Sequence, residues 1–380
     1  MSSVVEPLAH RIAVSSLFLL NGFVFSSWAS RIPYFQEHFH LNNGQLGSLL
    51  LCLPIGSLLV LPLAGWLSTR FGSRLTAILG AAVYCFCLIW IGFAPAIFWL
   101  GAALVTMGAS GNILNIAENT QGILVEGLYG KPILSSFHGM FSLGGMLGAA
   151  FTGLLIALHV SIVSNFLGVG LACLLIPVII TRYLFTSDFG AATDQPLFVM
   201  PDSALLKLGV IALCVMMGEG AMADWSSVYV RQYIPNRIAL ATAGYTAFSL
   251  AMAIGRFTGD WVSSRLGTAK ILYLSGILAA AGMMLALLFP VIWVVIAGFA
   301  MVGAGFSIVV PLVYSSAGKS KTMPASMALA AVTTVGFLGF LVGPPLIGFT
   351  AQLISLRGAL LIVLVLAAVI SLFSKYAAAR

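Results

Sequence analysis

The stretch GWLSTRFGSR at residues 65–74 lies between two long apolar runs, and its pattern returns as DWVSSRLG at residues 260–267. Each copy contains a tryptophan, small polar residues, an arginine and a glycine in the same order. Another tryptophan precedes the one in each copy: Trp28 lies 38 residues before Trp66, and Trp225 lies 36 residues before Trp261. Matching motifs at nearly matching spacing indicate a duplicated unit. The sequence therefore predicts two related halves.

The composition around these motifs is typical of a membrane protein. Of the 380 residues, 61% are hydrophobic and 7% are charged, whereas a soluble globular chain carries roughly 25% charged residues. A water-soluble fold of this length exposes too much surface to hide so much apolar material. The five cysteines lie inside apolar runs, so we expect neither a disulfide nor a metal site. The net charge of +7 comes from basic residues scattered singly between apolar segments, which fits membrane loops better than a nucleic-acid surface.

Twelve apolar segments are long enough to cross a bilayer, which takes about 20 helical residues. They cover approximately residues 11–31, 43–65, 75–94, 97–124, 133–157, 162–182, 206–230, 238–258, 269–289, 291–314, 325–349 and 356–376. The first segment has features of a signal peptide, but its counterpart in the second half indicates a retained helix. We expect an all-α integral membrane protein with twelve transmembrane helices: an N-terminal six-helix bundle (1–182), a cytoplasmic central loop (183–205) and a C-terminal six-helix bundle (206–380).

The lysines and arginines predict the orientation of these spans. With the N-terminus inside, thirteen of the 17 basic residues fall on the cytoplasmic side, among them Arg256 at the end of span eight. The other four, Arg31, Arg231, Arg237 and Arg357, fall outside. Cytoplasmic loops carry an excess of Lys and Arg. We therefore expect a multi-pass protein of the bacterial inner (cytoplasmic) membrane with both termini in the cytoplasm.

The motif at 65–74 resembles a family signature. Gly65, Arg70, Gly72 and Arg74, between spans two and three, are similar to the cytoplasmic loop signature of the major facilitator superfamily. Finer similarities resemble the bacterial YbjJ-type branch, which is related to the fucose permease. They lie at residues 27–33, 115–119, 126, 136–139, 142–145, 219–225 and 343–345. The resemblance implies the major facilitator fold, whose two halves rock about a site between them and transport a solute by alternating access.

The signature departs from the family at one position. The family's aspartate helps to latch the outward-facing state, but this chain has Thr69 there and Ser264 at the equivalent place in the second half. Glu126, at the cytoplasmic end of span four, is a candidate substitute partner for these arginines. The alternative is that the arginines only anchor helix ends at the lipid headgroups. The candidate latch comprises Gly65, Arg70, Gly72, Arg74, Glu126 and Arg265.

Two acidic residues lie within span seven. An ionisable group at the bilayer centre costs at least ~2.5 kcal/mol, so such groups face the bundle interior or a wet cavity. Glu219, near mid-span, is the first candidate for the substrate or proton site, and we expect Glu219→Gln to abolish coupled transport without unfolding the protein. Asp224 lies about 7–8 Å further along the helix and roughly 140° around it. Its competing interpretation is a structural ion pair with Arg31 or Arg231.

Spans four and five carry the other polar candidates. Asn112, Asn115 and Asn119 share one helix face, where amides either hydrogen-bond a polyol or join helices. Glu118 and His138 lie at similar depth and could relay a proton, or form a buried hydrogen bond. The fucose permease also relies on a span-four carboxylate, which resembles Glu118 in position.

Three aromatic residues, Trp28, Trp225 and Tyr245, complete the substrate-lining candidates, although Trp near helix ends is also an interface anchor. Together these residues predict a proton-coupled symporter for a small polar organic solute, with a sugar-like solute favoured. The alternative is a proton-coupled exporter of drugs or metabolites, although the proline–glycine antiporter signature of span five is missing. We expect no enzymatic activity and no cofactor, because the sequence has no nucleotide-binding glycine loop and no metal cluster. The expected partners are the solute, protons and lipid, with no nucleic acid, and the expected state is a monomer.

Overall fold

The computed structural model of the chain describes residues 2–130, 133–186, 202–234, 240–320 and 323–377. Within these ranges it is helical and contains no strand. Its contacts divide the chain into two compact units. Unit 1 comprises Met1–Arg31 and Cys52–Thr193, and unit 2 comprises Ile32–Leu51 and Asp194–Arg380. Most of the predicted central loop, residues 187–201, lies outside the described ranges.

Sixteen α-helices follow one another along the described residues. They are α1 Ser2–Ala29, α2 Ile32–His38, α3 Asn43–Leu50, α4 Cys52–Phe71, α5 Ser73–Gly92, α6 Ile97–Tyr129, α7 Leu134–Ala157, α8 Ile162–Ile180, α9 Ser203–Tyr233, α10 Ala243–Leu266, α11 Thr268–Leu288, α12 Ile292–Phe306, α13 Val309–Gly318, α14 Ala325–Leu353, α15 Leu356–Ala359 and α16 Leu361–Phe373. Unit 1 holds α1 and α4 to α8, and unit 2 holds the remainder.

Eleven helical segments of the described chain are long and apolar enough to cross a membrane. The remaining predicted span, span eight (238–258), corresponds to α10, which also carries the charged residues of the second motif and is therefore more polar. This helix continues to Leu266, eight residues beyond the predicted end. Arg256 was predicted at a cytoplasmic helix end, and that placement is wrong. It lies ten residues, or about 15 Å, before the end of α10.

The repeated motif ends a helix in the same way in both units. Gly72 separates α4 from α5 with φ 81° and ψ 150°, and Gly267 separates α10 from α11 with φ 77° and ψ 150°. This backbone conformation is essentially restricted to glycine. The duplicated glycine is therefore required by a sharp turn between two helices. The repeat seen in the sequence extends to the backbone.

Close backbone contacts hold the helices of unit 1 together. A Cβ added to Gly22 of α1 would collide with the carbonyl of Phe141 in α7, and one added to Gly144 of α7 would collide with the carbonyl of Leu19. Small residues permit this approach, which drives helix association in lipid. Helix α1 also packs against α6. The polar side chains of α1 and α6 thereby meet inside unit 1.

Residues 32–51 form a two-helix hairpin, α2 and α3, that packs with unit 2. Helix α3 begins with a capping box, in which the side chains of Asn42 and Gln45 bond to each other's backbone amides. Its Gly47 lies against α14, where an added Cβ would come within 2.9 Å of the Cα atom of Gly348. This part of the sequence's first half therefore belongs structurally with helices of the second half.

Candidate functional site

A buried carboxyl group lies at the centre of unit 1. Glu118 of α6 has no exposed surface. The Nδ2 atom of Asn21 in α1 donates a hydrogen bond to its Oε1 atom at 2.9 Å. Its Oε2 atom has no hydrogen-bond partner in the structure. Among the described residues, no ion pair involves Glu118, so this carboxyl group is held by a neutral amide and not by a cation.

The three asparagines of α6 lie beside this carboxyl group and differ in their surroundings. Asn115 is exposed. Asn119 donates from Nδ2 to the backbone oxygen of Asn115 at 2.7 Å. The buried Oδ1 atom of Asn112 has no hydrogen-bond partner in the structure. The face thus offers one exposed amide, one amide bonded to its own helix and one unsatisfied acceptor.

His138 of α7 contacts the aromatic core of unit 1. Its imidazole lies edge-on to the ring of Phe18 in α1, with ring centroids 5.2 Å apart. The Phe18 ring also stacks on Phe137, at 5.7 Å. The relay from Glu118 to His138 remains a prediction.

An ion pair joins two helices of unit 2, α9 and α10. Glu219 of α9 accepts from the Nη2 atom of Arg256 in α10, at 3.2 Å and 3.3 Å from its two oxygens. The two side chains are 19% and 11% exposed. The sequence identifies Glu219 but not its partner, because the predicted span ends at residue 258, just after Arg256. The sequence does contain one indication that Arg256 lies within the helix. Tyr245 and Arg256 are eleven residues apart, which places them on the same face of α10.

Within unit 2, the described residues show no ion pair between Asp224 and Arg231, one of the two partners in its competing interpretation. Arg231 donates to both carboxylate oxygens of Glu37, at 2.5 Å and 2.9 Å. Arg31 donates to the side chain of Asn165 at 3.0 Å. Asp224 is partly buried, and no ion pair among the described residues involves it. The two acidic residues of α9 therefore differ, since one is paired with a cation and the other is not.

The aromatic candidates lie in the protein interior. Trp28 is 1% exposed, Trp225 is fully buried and Tyr245 is 5% exposed. The Tyr245 ring stacks on Phe248, with centroids 6.0 Å apart, and the Nε1 atom of Trp225 has no hydrogen-bond partner in the structure. None of the three presents an open ring face on which a sugar could stack in this structure.

Glu126 of the candidate latch caps a helix. Its Oε2 atom accepts from the backbone amides of Ile133 at 2.7 Å and Leu134 at 2.9 Å, at the start of α7. No ion pair among the described residues joins it to Arg70 or Arg74. In this structure Glu126 is therefore engaged with α7, and not with the arginines as predicted.

Arg265, the latch residue of the second motif, stacks on its own helix. Its guanidinium lies 4.9 Å from the ring centroid of Trp261 in α10. Gly65 of the first motif has open space around it, because an added Cβ would meet nothing within 4 Å. These contacts favour helix-end anchoring for the motif in this structure.

Comparison with known proteins identifies the family. The family model for the Major Facilitator Superfamily matches residues 14–323 and 241–378 of this chain. An uncharacterized MFS-type transporter of Yersinia pestis is 33% identical over 353 residues, which cover 93% of this chain and 92% of the relative. Membrane protein MosC of Rhizobium meliloti is 32% identical over 96% of this chain and 89% of its own length.

Solved transporters share the fold at low sequence identity. A bacterial homolog of the human lysosomal transporter Spinster, inward-facing and occupied, has a TM-score of 0.74 at 14% identity, covering 96% of this chain and 95% of its own. The nucleoside transporter NupG has a TM-score of 0.73 at 13% identity, covering 96% of this chain and 97% of its own. The narrower resemblance to the YbjJ-type branch stays a prediction. The chain belongs to the major facilitator superfamily and is a multi-pass membrane transporter.

Proposed function

We propose that this transporter moves a small polar organic solute, with a sugar-like solute favoured, across the bacterial inner membrane by alternating access coupled to protons. Both termini lie in the cytoplasm in this proposal. The observation that carries it is the environment of Glu118, a fully buried carboxyl group whose hydrogen-bond donor is the neutral Asn21.

The surroundings of Glu118 suit a group that gains and loses a proton. A charged carboxylate away from water is costly unless a cation accompanies it. Glu118 has no such cation among the described residues, so its neutral form is compatible with the packing and its charged form requires water or a conformational change. Proton occupancy and conformation are then linked, which is the requirement for coupling.

The charged residues of unit 2 also support proton coupling. Glu219 and Arg256 form a pair with no net charge. Asp224 adds a negative charge without a cationic partner among the described residues. A proton on Asp224 makes this region neutral. We assign proton binding to Glu118 and Asp224, and a positioning role in the solute site to the pair of Glu219 and Arg256.

The amides of α6 are the proposed solute ligands. Asn115 is exposed and Asn112 offers a buried acceptor without a partner. An unsatisfied acceptor costs about 1–3 kcal/mol, which a hydroxyl donor from a bound solute would recover. Solutes with several hydroxyl groups meet this requirement best.

Proton uptake into proteoliposomes tests the proposal. Purified protein is supplied with sugars, polyols, organic acids and cationic drugs in turn, and internal pH is recorded with a trapped dye. We expect a neutral polyhydroxylated solute to drive proton entry. Proton movement driven only by a cationic drug, and opposite to the drug's own movement, would instead establish an exporter.

Two variants and a control locate the proton sites. Glu118→Gln and Asp224→Asn should each abolish solute-driven proton uptake while facilitated exchange of labelled solute continues. Asp202→Asn is the matched acid-to-amide control, because Asp202 caps α9 and asparagine caps a helix equally well. Unchanged proton uptake in both site variants would exclude this assignment.

A further inference from the structure

We propose that a groove on unit 1 binds one phospholipid with an anionic headgroup. The groove lies between α1, α7 and α8 and has a volume of about 540 Å³. This inference is independent of the solute and of proton coupling, because it concerns a different surface of unit 1.

One wall of the groove is a row of exposed small residues on α8. Ser164, Gly168 and Ala172 of α8 recur every four residues, so they share a face, and all three are exposed. A Cβ added to Gly168 would meet nothing within 4 Å, whereas one at Gly170 would collide with Ile89 of α5. Small residues at this spacing usually admit a helix, but here they leave a channel open.

The remaining walls are hydrocarbon. Helix α1 contributes Leu19, Leu20 and Phe23, and α7 contributes Phe151 and Leu155. The channel closes at Asn165, whose Oδ1 atom accepts from the Nε atom of Arg31 at 3.0 Å. The lining of this part is largely apolar, which suits an acyl chain.

The groove continues along α1 to a positive charge. A second cavity, of about 410 Å³, shares Leu19 and Ile176 with the first and is also lined by Arg11 and Ser15. Arg11 and Phe23 are twelve residues apart, or about 18 Å along the helix. This length is close to half the roughly 30 Å thickness of the hydrocarbon core. The groove therefore has the dimensions of one leaflet, with a cation at its end.

Arg11 is arranged to receive a phosphate. Its guanidinium lies over the ring of Tyr129, 5.3 Å from the centroid, which orients the group by its face and leaves its N–H edge for an anion. No ion pair involves Arg11 among the side chains that the structure describes. An anionic headgroup supplies the missing charge, while a single acyl chain lies over Gly168 and Ala172.

Native mass spectrometry of the purified protein tests the proposal with dioleoyl phosphatidylglycerol and dioleoyl phosphatidylcholine as probes. We expect wild type to bind one phosphatidylglycerol about fivefold more tightly than phosphatidylcholine, the effect of one arginine at an anionic headgroup. Arg11→Gln should remove this preference. Gly168→Phe, which fills the groove, should weaken the binding of both lipids.

Two controls match these variants. Arg182→Gln removes another cation stacked on a tyrosine, Tyr183, and Gly127→Phe adds a ring at another open glycine; both should bind as wild type does. A preference for phosphatidylglycerol that persists in Arg11→Gln overturns the headgroup assignment. Unchanged lipid binding by Gly168→Phe overturns the groove, and a dimer lost in that variant would identify the face as an interface between copies.

Discussion

Among single residues, Arg256 and Glu219 show how strongly two charges depend on each other inside a membrane protein. Their contact is 3.2 Å and neither side chain is more than 19% exposed. Removing one partner of such a pair leaves the other charge without compensation, at a cost of about 3 kcal/mol. We therefore expect Arg256→Gln to lower the thermal unfolding temperature in detergent markedly.

The double variant Arg256→Gln/Glu219→Gln separates this effect from general damage to α10. Replacing both charges removes the uncompensated carboxylate, so most of the lost stability should return. A double variant as unstable as Arg256→Gln alone would show that the arginine acts through packing and not through its charge.

The acidic residues in the helices of each unit can be identified from the sequence, but their partners cannot. An acidic residue inside an apolar run is conspicuous in a sequence, and Glu118 and Glu219 both stand out in this way. Asn21 lies in a different span from Glu118, and the pairing depends on the rotation of α1 against α6. The predicted position of Arg256 is wrong because the end of α10 is polar, and hydropathy alone does not report where a helix stops. The helix continues to Leu266.

At the scale of the helix, Glu126 joins the end of α6 to the start of α7. Its carboxylate accepts from two backbone amides that have no partner within α7. Losing this cap costs about 1–2 kcal/mol. Glu126→Ala should therefore lower the unfolding temperature, measured by differential scanning fluorimetry.

Variants of the two arginines distinguish the cap from the predicted latch. Arg70→Ala and Arg74→Ala should leave the unfolding temperature nearly unchanged, because neither forms an ion pair with Glu126 in this structure. The latch would be supported if all three variants lost the same stability and each pair of substitutions were non-additive. The helix cap alone would then not explain the role of Glu126.

Helix positions were predicted better than helix partners. A span of about 20 apolar residues is visible without knowledge of its neighbours, and the glycine of the repeated motif marks a turn in both units. The packing of the 32–51 hairpin was not visible, because residues that face lipid and residues that face another helix are similarly apolar. The contact between Gly47 and Gly348 depends on two small residues that lie far apart in the sequence.

At the scale of the whole molecule, the distribution of basic residues predicts the side on which each loop lies. Because Arg256 lies within α10, the number of basic residues predicted on the cytoplasmic side falls from thirteen to twelve, against four on the outside. The bias still favours a cytoplasmic N-terminus. With that orientation the exposed residues His40 and His159 face the outside, and Gly130 faces the cytoplasm.

Labelling of single introduced cysteines in intact cells checks this orientation. His40→Cys and His159→Cys should react with a membrane-impermeant maleimide, whereas Gly130→Cys should react only after permeabilisation. The parent protein is the control, because its five cysteines are buried or partly buried. If Gly130→Cys alone reacted in intact cells, the orientation would be the opposite of the one predicted. Arg11 with its proposed lipid would then belong to the outer leaflet.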